Sequence, residues 1–170
     1  MCPLLFRLVG FTMFKITTMQ TRFIQYKDQL PEMLRYATLR SEVLYDNGLS
    51  GKMGMSILLY EYSRLYKDSL YEQYAEELLD AVLEKMSLRP LGIEEGISGI
   101  AWGIVYLHRN KFLEGDYRDI LSEVDEYLEA NIQEAEKDIL SYLAYRDEIL
   151  SDKEIYSEKE ILDIIWANWM

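Results

Sequence analysis

The sequence predicts an all-α protein built from repeated helical hairpins. Three observations predict it. A Gly-x-Ser-Gly turn occurs twice, as Gly48-Leu49-Ser50-Gly51 and as Gly96-Ile97-Ser98-Gly99, at an offset of 48 residues. After each turn comes a stretch that is apolar on nearly every face, and then a stretch with one wet face. There are only three prolines, and no strand-like alternation rises above background. A repeat of that length, made of helices, predicts stacked hairpins.

The elements follow in order. Residues 1–30 read as a poorly defined N-terminal segment. Met1 to Met19 is apolar but interrupted by Arg7 and Lys15, which makes a poor signal peptide and too short a run to span a bilayer. Met13 and Met19 are alternative initiators. Residues 20–30 are mixed polar and read as irregular or as a frayed helix. Residues 31–170 form the helical-repeat domain.

Pro31 suits a first helical turn, and Met33, Leu34, Ala37, Val43 and Leu44 extend a stripe to about Tyr45. Asp46-Asn47-Gly48 breaks that helix. Gly51 to about Tyr66 is apolar on most sides through Met53, Ile57, Leu58, Leu59, Tyr62 and Leu65, so it is expected to be buried. Ser69-x-x-Glu72 reads as a capping box. It opens an amphipathic helix to about Leu88, with Leu70, Tyr74, Leu78, Ala81, Val82 and Met86 inward.

The second unit repeats the plan. Gly99 to about Asn110 is apolar; Asp116 caps the next helix, whose stripe is Ile120, Leu121, Val124, Tyr127 and Leu128. A further helix spans about Gln133 to Leu150. Ser157-x-x-Glu160 caps the last helix, Glu158 to about Trp169. A buried helix followed by an amphipathic one describes the inner and outer members of a two-layer ring or superhelix.

Charge and cysteine content narrow the function. The net charge is −12, and all of it comes from residues 114–170, with 17 acids against 5 Lys/Arg. That surface repels phosphate backbones, so nucleic acid is not an expected partner, nor is a membrane. Cys2 is the only cysteine and His108 the only histidine, so one chain cannot assemble a Cys/Cys/His zinc site. A single cysteine fits a reducing, cytoplasmic setting.

The turns are the candidate site. The first glycine of each suits a left-handed turn position, the second a close helix approach. Ser50 and Ser98 can cap the following helix. The structural reading is a hairpin junction. The functional one is a cavity rim made by Asp46, Ser50, Glu94, Glu95, Ser98 and Trp102 on a frame of Gly48, Gly51, Gly96, Gly99 and Gly103.

Glu95-Gly96-Ile97-Ser98-Gly99-Ile100-Ala101-Trp102-Gly103-Ile104-Val105-Tyr106-Leu107, with the earlier Gly48-Leu49-Ser50-Gly51, resembles the glycine-rich repeats of the lanthionine synthetase C-like family, over about residues 40–130. The resemblance implies an α/α toroid of inner and outer helices, here a partial one, because the chain is too short for the full ring. It implies peptide modification, as in lantibiotic biosynthesis: a zinc ion held by two cysteines and a histidine activates a cysteine thiol, which adds to a dehydrated residue and closes a thioether ring. The zinc ligands come from later repeats and include a Cys-His pair, which this chain lacks, so no cofactor is expected in this chain, whereas a complete member would carry zinc. The chain is accordingly read as an N-terminal or truncated portion acting on a peptide substrate or partner protein. Two alternatives stand beside it: a non-catalytic helical module that binds a peptide or protein, and a carbohydrate-active toroid using Asp46, Glu94 and Glu95 as acids.

Overall fold

The computed structural model describes residues 17–43 and 47–170; Cys2, Met13 and Asp46 lie outside them. Among the described residues there are eight α-helices, one 3-10 turn and no strand. The helices are α1 (Thr18–Gln25), α2 (Leu30–Val43), α3 (Lys52–Tyr66), α4 (Ser69–Glu84), α5 (Ile97–Arg109), α6 (Tyr117–Ala130), α7 (Glu136–Asp147) and α8 (Glu158–Trp169). The all-α class read from the sequence is what the chain adopts.

The inner and outer roles are visible in burial. Every residue of α5 from Ile97 to Leu107 is buried, and so is nearly all of α3 from Met53 to Ser63. In contrast α4 buries only Ala75, Leu79 and Val82, and α6 only Tyr117, Leu121, Val124 and Leu128. A helix without a wet side needs neighbours all round it. α3 has α4 outside it, α5 beside it, and α1, α2 and α8 against its remaining faces. α5 packs on α6 and α7 as well as on α3.

The α3–α4 seam shows why the stripe of α4 is rotated from the expected one. Leu70 is 54% exposed and Tyr74 38%, although both were read as inward. The helix turns its small residue, Ala75, toward α3, where the Ser56 hydroxyl donates to the Ala75 carbonyl at 2.8 Å. Small residues let two helix backbones approach, and that contact outweighs burying two larger side chains at the helix start. Ile120 of α6 likewise stays 50% exposed.

Several caps differ from the sequence reading. Asp68, not Ser69, is the N-cap of α4; its side chain accepts from Leu70 N–H. Asp116 caps α6, and Ser157 with Glu160 forms the capping box of α8, both as expected. The segment 20–30, read as irregular or as a frayed helix, contains most of α1, which has its own capping box between Thr17 and Gln20. The helix expected over 133–150 is divided into the 3-10 turn Ile132–Glu134 and α7.

α8 closes the structure by reaching back to the first helices. Asp163 pairs with Arg22 of α1. Trp166 lies 5.9 Å from Phe23 and 5.6 Å from Tyr26, and Arg40 of α2 donates to the Asn168 carbonyl at 2.8 Å. α8 thus lies against α1, α2 and α3.

Lys67, Lys111 and Glu148 hold left-handed backbone, and the strain at Lys67 is removable. Lys67 ends α3 in the left-handed conformation, with φ 55° and ψ 44°. That conformation costs a side-chain-bearing residue about 1–2 kcal/mol, part of which glycine gives back as unfolded-state entropy. Lys67→Gly is expected to raise stability by about 0.5–1 kcal/mol, read as a shift in the urea midpoint at constant m-value.

Candidate functional site: two interlocked glycine turns

The two glycine turns touch each other. Ser50 N–H donates to the Glu94 carbonyl at 2.9 Å, and the Ser50 hydroxyl donates to the same oxygen at 3.1 Å. Gly48 is pressed against the Glu94–Glu95 peptide so closely that a Cβ there would overlap backbone. The second turn is held from two further sides. Ile97 N–H donates to the Pro90 carbonyl at 2.8 Å, and Ile93 N–H donates to Asp138 Oδ1 of α7 at 3.0 Å. Asp138 has no sequence signal pointing to this turn, because the contact spans 45 residues.

The helix starts correct the register of the repeat. Gly51 is the N-cap of α3 and Gly96 the N-cap of α5, with φ −116° and −118°. Those caps are 45 residues apart, not 48. The equivalence extends inward: a Cβ on Gly54 would overlap the Leu49 carbonyl, and one on Gly99 the Ile93 carbonyl. The repeated unit in space is thus Gly51-x-x-Gly54 and Gly96-x-x-Gly99. Neither Gly48 nor Gly96 has positive φ; Gly115 is the glycine that does among the described residues. Close backbone approach is the reason for these glycines.

The serines do not cap as expected. Neither α3 nor α5 has a side-chain hydrogen bond at its N-cap. Ser50 reaches across to Glu94 instead. Ser98 sits inside the first turn of α5, fully buried, and its hydroxyl has no hydrogen-bond partner. Trp102, one turn further on, is also fully buried with an unpartnered indole N–H. Its ring stacks on Tyr106 at 5.1 Å and meets Tyr145 of α7 at 4.8 Å. So of the residues assigned to the rim, Ser50, Glu94 and Glu95 come together at the turns, Ser98 and Trp102 lie in the core, and Asp46 falls outside the described residues. Glu94 and Glu95 are exposed just ahead of the α5 N-terminus, where carboxylates are favoured by the helix dipole.

Beside the turns is an open depression of about 490 Å³. Asn47, Lys85, Ser87, Arg89 and Glu95 line it, above the buried Ile97 and Ile100. Arg89 is engaged by Glu134 at 2.7 Å and by the Tyr127 hydroxyl at 2.9 Å. Lys85 brings a second positive charge to this rim of an acidic protein.

A polar centre that sequence reading missed lies deeper, between the inner helices. Glu61 of α3 is fully buried. Its carboxylate accepts from the Tyr106 hydroxyl of α5 at 2.6 Å and from the Thr17 hydroxyl at 3.0 Å. Burial pushes the Glu61 carboxyl above its ordinary value, while the Tyr106 and Thr17 hydrogen bonds and the Arg64 charge pull it down by less. Burial also raises the Tyr106 hydroxyl, helped by the charge of Glu61. The sequence signal is a single acid, Glu61, in a helix buried over most of its length.

The family's zinc chemistry can be tested against the side chains present. Among the described residues no group of three or more His, Cys, Asp or Glu is placed to hold a metal. His108 uses Nε2 against the Gly115 carbonyl at 2.6 Å and packs edge-on to Tyr117. With one cysteine and one histidine in 170 residues, the chain does not fit a centre of two cysteines and a histidine.

Inner and outer helices in pairs, with glycine turns interlocked at the starts of the inner ones, define a helical-hairpin protein of the α/α-toroid class. The chain belongs to the lanthionine synthetase C-like family, whose model matches residues 42–155, well over half of it. No curated protein and no solved structure matches the chain. The matched stretch contains α3 to α7; α1 and α8 lie outside it. No helix of the described residues is long and apolar enough to cross a membrane.

Two predictions follow from the packing. Gly54→Ala and Gly99→Ala force a side chain onto backbone and are expected to cost about 3 kcal/mol or more; Gly92→Ala, with open space around it, is expected to stay within about 0.5 kcal/mol of the parent. Denaturant unfolding distinguishes them. Glu61 sets a pH dependence. Its folded value is raised, so the stability it contributes is complete below the ordinary carboxyl value of 4.5 and is lost as pH rises through the folded value. Glu61→Gln is expected to raise the melting temperature at neutral pH and to remove that slope; a lower melting temperature with an unchanged slope contradicts it.

Proposed function

We propose that this chain serves peptide modification as a peptide-holding portion of a lanthionine synthetase C-like protein. It presents a dehydrated, cysteine-bearing peptide for thioether ring formation, as in lantibiotic biosynthesis, and supplies no zinc ligands itself. The observation that carries this reading is the family match over α3 to α7. The depression at the glycine turns supports it. It offers hydrogen-bonding groups at Asn47 and Ser87 and charges of both signs at Lys85 and Glu95, a mixture suited to a peptide backbone with polar side chains. The partner is a peptide or a protein bearing one, in the cytoplasm, and not nucleic acid.

A fluorescent peptide carrying one dehydroalanine and one cysteine tests this. The chain is expected to bind it at micromolar concentration and to leave its thiol open to alkylation, because no ring closes. Lys85→Glu with Glu95→Lys is expected to weaken binding about tenfold, which corresponds to 1.4 kcal/mol. Metal analysis of the purified chain is expected to find zinc well below one per chain. Loss of alkylatable thiol or one tightly held zinc per chain overturns the proposal.

A further inference from the structure

Thr17 does two jobs with one hydroxyl. Its oxygen accepts from Gln20 N–H at 3.1 Å, which caps α1. Its proton goes to Glu61 Oε2 at 3.0 Å, which ties α1 to α3. The cap is reciprocated, because Gln20 Oε1 accepts from Thr17 N–H at 3.3 Å. The group that starts the helix is therefore the group that docks it.

α1 has little else to hold it. It is eight residues long, below the length at which a helix persists alone in water. Its apolar anchors are Met19 and Phe23, and Phe23 meets Tyr62 of α3 and Trp166 of α8 edge to face or tilted, at 5.9 Å each. Arg22 adds the ion pair to Asp163. Undocking and melting of α1 are one event.

Glu61 makes that event depend on proton concentration. It faces Tyr106 from α5, and Thr17 and Gln20 from the α1 side; on its own helix Arg64 acts on it from a distance. Arg64 spends its own donors on the Asn110 and Lys111 carbonyls. Glu158 of α8 and Tyr145 of α7 act on Tyr106 and not on Glu61. An ionised Glu61 thus has hydroxyl donors but no cation in contact, in a fully buried place, which is a costly state. Releasing α1 hydrates it.

We propose that α1 is a pH-responsive strap: with Glu61 neutral it docks on α3 and α8, and ionisation of Glu61 releases it, uncovering the Glu61 carboxylate and the Tyr106 hydroxyl. The strap lies outside the family-matched stretch, and both residues that it covers lie inside it. The raised position of the Glu61 titration moves the switch upward from the usual carboxylate range. The strap stands or falls independently of which peptide the chain holds.

Hydrogen–deuterium exchange across a pH series, corrected for the intrinsic rate, tests this on the whole chain. Amides of α1 are expected to open independently of α3. Between the ordinary carboxyl value of 4.5 and the raised folded value of Glu61 the opening constant is expected to rise by up to about tenfold per pH unit, the slope for one proton, and to level off above it. Glu61→Gln is expected to leave α1 closed and its opening flat with pH. Thr17→Val is expected to raise opening at every pH while keeping the slope. The idea fails if α1 opens only with α3, if its opening in the unaltered chain is flat with pH, or if Glu61→Gln keeps the slope. The series on the unaltered chain decides the matter even where a substituted chain does not fold.

Discussion

Backbone rests directly on backbone where the two glycine turns meet, and that contact sets the spacing of the inner helices. Gly48 has no side chain to hold the Glu94–Glu95 peptide away, and the Ser50 N–H and hydroxyl both close on the Glu94 carbonyl. The starts of α3 and α5 are thereby fixed side by side. Once they are, Gly103 must accommodate Met53, and the rest of each inner helix follows in register. The outer helices then pack wherever a small residue lets them approach, as Ala75 does against Ser56.

Much of this is legible in the residues, and the illegible parts have physical causes. The buried-all-round character of α3 and α5 follows from their composition, and the α8 capping box from Ser157 and Glu160. The register of the repeat does not. The letters Gly-x-Ser-Gly recur at 48, yet the cap falls on the second glycine of one copy and the first of the other, because the loop after Pro90 folds back on Gly96. α1 is hidden because its helicity depends on docking: Met19 and Phe23 are inconspicuous among polar neighbours until α3 and α8 surround them. Asp138 and Glu61 escape for another reason. Each acts across about 45 residues of sequence, and no local pattern marks a partner that distant.

The same geometry separates scaffold from chemistry. The family-matched helices carry the interlocked turns, the open depression beside Lys85 and Glu95, and a buried Glu61–Tyr106 pair. They do not carry a cysteine–histidine metal set. The polar interior is covered by helices from the two flanks, α1 and α8, that meet through Arg22, Asp163 and Trp166.

The interlock is the claim on which the rest depends, and the Ser50 amide reports on it directly. It belongs to a loop residue, and it donates to the Glu94 carbonyl of the other turn. Native-state hydrogen exchange at this amide is predicted to proceed only through global unfolding, with the same denaturant dependence as the core amides of α5. Exchange at the rate of an open loop, insensitive to denaturant, would show that the two turns are not joined.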